Sequence, residues 1–202
     1  MSNAVADPVP SLGPPGAGLP KAELFIARLM LNWQARRSTR TSTAALFAGE
    51  RTKILDLARS CRPEEGCRRV LIKRLRGLED SSRYWSVFMT LDHLRIVNRQ
   101  VAEVIRLLGR GETPAFVAST ARVKPRVEVD EKVVEEFQAA CEHFEECVAG
   151  VENLRTQVRF AHPWFGPLDA AGWHFTAFFH LRLHRHQIEA IRRARPVIEG
   201  KV

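Results

Sequence analysis

The sequence lacks three features that would assign it to a membrane or secreted class. It contains no run of about 18 or more uncharged apolar residues, the length that a helix needs to cross a bilayer. Its first residues carry no basic region followed by an apolar stretch, so we expect no secretory signal. Cysteine is scarce, with four residues in the chain, which excludes the disulfide-dense class of small secreted proteins. These shortages predict a protein without a membrane segment, located in the reducing cytoplasm.

The rest of the composition is that of an ordinary globular protein. The chain has 202 residues, of which 45% are hydrophobic and 27% charged, enough for one domain with its own core. Its net charge of +8 permits binding to nucleic acid or small anions. Because the basic residues are spread along the chain and no zinc finger, RNP motif or basic zipper is present, we interpret the charge as a solvated surface and expect no nucleic-acid partner.

Composition divides the chain into three segments. Residues 1–20 contain five Pro and three Gly and few large apolar side chains, which predicts a flexible tail. Residues 21–41 predict a helical extension, and residues 42–198 predict the main domain. The sequence leaves open whether one long helix or two helices run through Arg36–Thr43.

Three further helices follow from hydrophobic periodicity. One is predicted after N-cap candidates at Asp80, Ser81 and Ser82 and ends before Gly111. Another carries an apolar face from Val133 to Leu154, and the last runs from about Asp169 to about Arg195. Because these helices are long and their connections substantial, the pattern predicts an all-α four-helix bundle with crossover connections.

Histidines on two of these helices indicate a metal site. His180 and His184 lie one turn apart on one face of the last helix, and His93 lies within the apolar stripe of the helix that follows Ser82. Burying three imidazoles is costly unless their nitrogens are satisfied, which one metal ion would do. The alternative is chance, because the chain has seven histidines and 'HLRLHRHQ' is dense in them.

Three segments resemble the DinB-like superfamily of bacterial helical metalloproteins. They are 'YWSVFMTLDHL' (Tyr84–Leu94), 'HPWFGPL' (His162–Leu168), which resembles a branch of unknown function, and 'HLRLHRHQI' (His180–Ile188). The resemblance covers roughly residues 42–195. It implies a four-helix bundle, often dimeric, with His93, His180 and His184 as ligands of a divalent metal ion.

The resemblance also implies a class of chemistry. Three neutral ligands leave a coordination position open, and zinc fits best, with nickel, iron or manganese as alternatives. Characterised members include thiol S-transferases, so we expect thiol transfer with a low-molecular-weight thiol and a small-molecule substrate, or hydrolysis by metal-activated water. The alternative is a non-catalytic bundle that the metal stabilises.

The remaining predictions concern residues near these motifs. We expect Gln187, Thr90 and His162 to support the site or to touch a bound ligand. Large apolar residues behind the histidines indicate a second buried surface, covered either by the N-terminal extension or by a second copy in a homodimer; they are Phe88, Phe175 and Phe178. We expect His143 and His174 at the surface or an interface, because neither lies on the core stripe of its helix.

Overall fold

Helices dominate the part of the chain that the structure describes. A computed structural model describes residues 10–194. Its elements in chain order are α1 (Lys21–Arg37), α2 (Arg40–Arg59), α3 (Pro63–Cys67), β1 (Val70–Leu71), β2 (Tyr84–Trp85), α4 (Val87–Gly109), α5 (Val133–Ala149), β3 (Phe160–His162), β4 (Gly166–Leu168) and α6 (Ala170–Arg193). The short strands form two antiparallel pairs, β1 with β2 and β3 with β4.

A sharp break separates α1 from α2. The Thr39 hydroxyl accepts a hydrogen bond from the Ser42 amide, and the Ser42 hydroxyl accepts one from the Thr39 amide. This reciprocal cap satisfies two backbone donors that a helix start would otherwise leave unpaired. The sequence left open whether one helix or two run through this segment, and the structure has two.

Two predicted helix ends differ from the structure. Asp80–Ser82 form a 3-10 turn, and the cap of α4 is Ser86, whose hydroxyl accepts from the Met89 amide. The β1–β2 pair separates this turn from the helix, and two-residue strands leave no periodicity to detect. Helix α5 ends at Ala149, although the apolar pattern continues to Leu154 through a loop that packs on the core.

Four helices form the bundle. Helix α4 packs against α5 and α6, and α2 packs against the same two helices, so the four close a ring. Helix α1 lies outside this ring, against α6. Segments 60–86, 110–132 and 150–169 are the long connections between these helices, which confirms the predicted all-α bundle with crossovers. Within residues 10–194, no helix has the length and apolar character that crossing a bilayer requires.

The glycine-rich segment before α1 lies against the domain. The amide groups of Gly16 and Gly18 donate to the Glu79 carboxylate, and that of Gly13 donates to Asp80. The composition argument for a flexible tail did not anticipate these contacts, because a backbone amide needs no side chain to bind a carboxylate. Residues 1–9 of the predicted tail lie outside the described residues, as do residues 195–198 of the predicted domain.

The single chain covers the residues predicted at a second surface. Phe88, Phe175 and Phe178 are buried, and the Phe88 ring lies over Gly66 of α3 rather than under the N-terminal extension. Within the single chain these side chains are therefore almost fully covered. His174 is also buried, with its ring centroid 5.9 Å from that of Phe144, so its predicted surface position is wrong. Helix α6 packs against α1, α2 and α4, and a helix enclosed on several sides has no single core stripe.

Candidate metal centre

Three histidines from two helices meet inside the bundle. His93 lies in the second turn of α4, and His180 and His184 lie one turn apart in α6. One ring nitrogen of each lies within 4.8 Å of the other two. The Nε2 atoms of His93 and His180 are 3.1 Å apart. The structure therefore brings together the three histidines that the sequence singled out.

Hydrogen bonds fix the tautomer of two of these rings. The Nδ1–H of His93 donates to the Val123 carbonyl over 2.6 Å. The Nδ1–H of His184 donates to Gln187 Oε1 over 2.6 Å, and Gln187 Nε2 in turn donates to the Ser82 carbonyl over 2.7 Å. Because each Nδ1 carries the proton, the Nε2 atoms of His93 and His184 present lone pairs to the centre of the cluster. Gln187 thus occupies the supporting position that the sequence predicted.

The surroundings keep all three imidazoles neutral. Burial lowers the pKa of His93 to about 4, although the hydrogen bond to Val123 opposes this shift. Burial, followed by the proximity of the other two histidines, lowers the pKa of His180 well below its ordinary value. Burial and His93 lower the pKa of His184 in the same direction. Neutral imidazole is the form that binds a metal ion.

A buried carboxylate positions the loop that contacts His93. Asp92 is fully buried, and it accepts hydrogen bonds from the Arg126 amide and from the guanidinium groups of Arg126 and Arg95. Burial opposes the ionisation of Asp92, but these hydrogen bonds outweigh it and hold its pKa below the usual range. The pairing holds the segment around Val123 against α4. Asp92 therefore contributes to the site through the loop and is not a fourth ligand.

A second ion pair lies near the histidines. Lys124 Nζ donates to Glu79 over 2.8 Å and to the hydroxyls of Ser81 and Ser82. The Glu79 carboxylate is buried and also accepts from the Thr120 hydroxyl. Lys124 neutralises the charge of Glu79, and the hydroxyl group of Thr120 donates a further hydrogen bond to it. Glu79 is therefore not a free base.

A cavity of about 660 Å³ opens next to the cluster. His93, His180 and His184 all line it, and His180 is the least buried of the three. His162 lines it as well; its Nδ1 accepts from the Trp164 amide, and burial lowers its pKa to about 3. Behind the cluster, the Trp85 ring stacks on His184 with centroids 6.1 Å apart. The site is therefore closed by Trp85 on one side and opens toward the cavity on the other.

Two nearby residues do not join the cluster. Thr90 is fully buried and its hydroxyl donates to the Ser86 carbonyl within α4, so it does not line the cavity. His186 is exposed on α6 and lies beside Glu189. The sequence missed the Val123 and Ser82 carbonyls, because any residue type supplies a carbonyl. It also missed Trp85 and the pair of Glu79 with Lys124.

The donor set fits a divalent metal ion. Nitrogens bound to one tetrahedral zinc ion lie roughly 3.4 Å apart, so the observed spacing requires only small side-chain movements. Without a cation, the Nε2 lone pairs of His93 and His184 converge on a single donor, the Nε2–H of His180. The Nδ1 of His180 is then buried without a hydrogen-bond partner. Within residues 10–194, no carboxylate or thiol joins the cluster. Three neutral ligands beside a cavity are typical of an open site.

Comparison with known proteins gives one family and one related fold. A solved structure described as TT2238, a four-helix bundle protein, has 21% sequence identity and a TM-score of 0.55, and the match covers 77% of this chain and 100% of that one. At this identity the likeness shows the fold alone. No curated protein matches the chain. The sequence pattern of the DinB superfamily matches residues 18–188, a range that includes α1. The match spans most of the chain, which therefore belongs to the DinB superfamily.

Proposed function

We propose that this chain is a divalent-metal-dependent enzyme that uses zinc at His93, His180 and His184. The observation that carries the proposal is the pair of fixed tautomers, which aims the Nε2 lone pairs of His93 and His184 at one point beside a cavity. A structural zinc site normally has four protein ligands, whereas three ligands leave a position for a substrate atom. Nickel, iron and manganese are the alternatives for the metal.

The reaction that fits best is transfer to or from a thiol. A bound divalent ion would supply positive charge that lowers the pKa of a thiol reaching its open position. The same charge would lower the pKa of a bound water, which makes hydrolysis the alternative reaction. Glu79 is neutralised by Lys124, and the Nδ1 of His162 is occupied by the Trp164 amide. Neither residue is therefore free to take a proton. A thiol, whose ordinary pKa is about 8.5, needs a smaller pKa shift than water to ionise at the metal, which favours thiol chemistry.

The competing function is a bundle that the metal only stabilises. It predicts a site closed to exogenous ligands and a large loss of stability when the metal is removed. The cavity beside His180 favours the enzyme, because a metal site that only stabilises the fold does not require an adjacent cavity. Cobalt(II)-substituted protein separates the two functions: a thiol that enters the coordination sphere changes the visible absorption spectrum, whereas a closed site leaves it unchanged.

Elemental analysis is the first test of the proposal. We expect about one transition-metal ion per chain in the wild type and none in His93→Ala or His180→Ala. His186→Ala is the matched control, because His186 is exposed on the same helix, and we expect it to retain the metal. Wild-type protein that remains metal-free after incubation with zinc, nickel or manganese would contradict the enzyme hypothesis.

Further proposals concern partners and location. We propose a low-molecular-weight thiol as cosubstrate, a homodimer in solution, no nucleic-acid partner and a cytoplasmic location. The homodimer has a candidate surface on α1, where Phe25, Leu29 and Trp33 follow one another at helical spacing and are all exposed. Salt-sensitive binding to an arbitrary DNA duplex would contradict the proposal on nucleic acid.

A further inference from the structure

The cavity beside the histidines is built mainly from apolar side chains. Residues on α4, α6, α1 and the loops face into it, among them Val97, Leu183, Met30, Phe116 and Trp164. Its volume of about 660 Å³ falls within the range of small-molecule sites. A ligand that fills it exchanges water for aliphatic and aromatic contacts along most of its length.

Several polar groups of the lining already have partners inside the protein. Trp173 Nε1 donates to the Phe160 carbonyl, and the Thr176 hydroxyl donates to the Gly172 carbonyl. Glu79 is paired with Lys124. A sugar or peptide group placed against the apolar walls would give up its hydration there for few donors or acceptors, which is costly.

Helix α1 supplies the outer wall of the cavity. Ile26 and Met30 line the cavity from this helix. The helix is fastened over it by Glu23, which accepts from Arg74 over 2.6 Å, and by Arg28, which donates to the Trp164 carbonyl. Residues outside the four-helix ring therefore set the width of the cavity.

We infer that this cavity binds a substrate with an apolar body, an alkyl or aryl group, whose polar end reaches His180. This assigns a substrate class to the metal site and rests on the proposed function. The apolar body lies along Val97 and Met30, while the end near the histidines is the one that reacts.

Uncharged n-alkanols from butanol to octanol test the apolar space without engaging the metal chemistry. Isothermal titration should give an affinity that rises about threefold to fourfold per added methylene, as burial of each CH₂ group requires. Met30→Glu should weaken octanol binding by about tenfold or more, because it places a charge in the lining. Leu29→Glu is the matched control, because both residues are exposed on α1, Met30 at 55% and Leu29 at 58%, but Leu29 does not line the cavity.

Two further samples separate this inference from the proposed function. His93→Ala should lose the metal and keep the chain-length dependence. An affinity that does not depend on chain length, or that falls equally in Met30→Glu and Leu29→Glu, would overturn the apolar substrate class. If either of these results is obtained while the wild type binds its metal, the proposed metal site stands and only the apolar substrate class is lost. Chain-length dependence in a wild type that binds no metal would support the apolar cavity and remove the proposed enzyme.

Discussion

Gln187 shows how one side chain can set the state of a metal ligand. Its Oε1 accepts the Nδ1 proton of His184 while its Nε2 donates to the Ser82 carbonyl, so the amide is fixed in both directions. We expect Gln187→Leu to weaken metal binding by about 10- to 100-fold, the usual effect of removing such a partner. Competition with a chelator of known affinity measures this change. Gln138→Leu is the control, because Gln138 is half-buried on α5 and does not belong to the histidine cluster, and it should bind metal as the wild type does.

The same substitution also tests the structural role of the amide. Gln187→Leu leaves the Ser82 carbonyl without its partner, at a cost of about 1–3 kcal/mol in the free energy of unfolding. Gln187→Glu can still accept from His184 but faces the Ser82 carbonyl with an oxygen. A Gln187→Leu variant with wild-type metal affinity would show that His184 needs no help to hold its tautomer.

His174 makes the stability of the protein depend on pH. Burial lowers its pKa from 6.5, the ordinary value for a histidine in water, to about 4, so between these values the unfolded chain binds the extra proton and the folded chain does not. The stability is therefore complete above pH 6.5 and is lost as the pH falls toward 4. Between pH 7 and pH 5 we expect a loss of about 2 kcal/mol from this residue. Urea unfolding of chelator-treated His174→Leu should show a correspondingly smaller loss than the wild type.

A second histidine provides the control for this effect. His143 is exposed on α5, and His143→Leu should leave the difference between pH 7 and pH 5 close to that of the wild type. An equal pH dependence in His174→Leu and the wild type would mean that His174 is accessible to protons in the folded state. The three metal-site histidines are present in every sample, so the comparison isolates the one that is replaced.

The candidate site shows which residues a sequence can reveal. Spacing along the last helix singled out His180, His184 and Gln187, because a helix places residues three and four apart on one face. His93 was singled out by its place in the apolar stripe of its own helix. The backbone carbonyls that orient the rings have no sequence signature, so Val123 could not be predicted. Angular position within a single helix fails wherever neighbouring helices enclose more than one face.

At the scale of elements, α3 and α4 meet at a glycine. A Cβ atom at Gly66 would lie 2.2 Å from Phe88 Cζ, a distance at which the ring must move. Since Phe88 is buried, we expect Gly66→Ala to destabilise the protein by about 1–3 kcal/mol, the cost of overpacking a core. Thermal or urea unfolding measures the change.

Gly49 in α2 is the matched control for this substitution. A Cβ atom there meets nothing within 4 Å, and the position is an exposed helix interior. Gly49→Ala should therefore stabilise the protein by roughly 0.5–1 kcal/mol through helix propensity. If both substitutions stabilise, Phe88 has room to move and the contact with α3 is looser than the structure indicates.

Elements differ in how far the sequence defines them. The helices α4, α5 and α6 follow from apolar periodicity, because long amphipathic segments repeat the same signal over many turns. The strands are too short to repeat anything, and the contacts of Gly13, Gly16 and Gly18 use backbone amides only. These strands and glycine contacts could not be predicted, because backbone groups rather than side chains form their hydrogen bonds.

At the scale of the whole molecule, α1 lies outside the ring and exposes apolar residues. Phe25 is 64% exposed, Leu29 58% and Trp33 55%, all on one side of the helix. Contiguous exposed apolar surface of this kind is unusual on a monomer. A two-fold pair buries it against itself, because each copy presents the same residues. Because Phe88, Phe175 and Phe178 are buried within the chain, α1 is the candidate contact for the predicted homodimer.

Light scattering after gel filtration tests this contact. We expect the wild type to have twice the chain mass of 22.9 kDa and the double variant Phe25→Glu, Trp33→Glu to have the mass of one chain. Val127→Glu is the control, because Val127 is 70% exposed but lies in the connection before α5, and it should leave the mass unchanged. A monomeric wild type would refute the homodimer itself. A double variant that stays dimeric would keep the homodimer but place its contact elsewhere, and α1 would then serve only as the wall of the cavity.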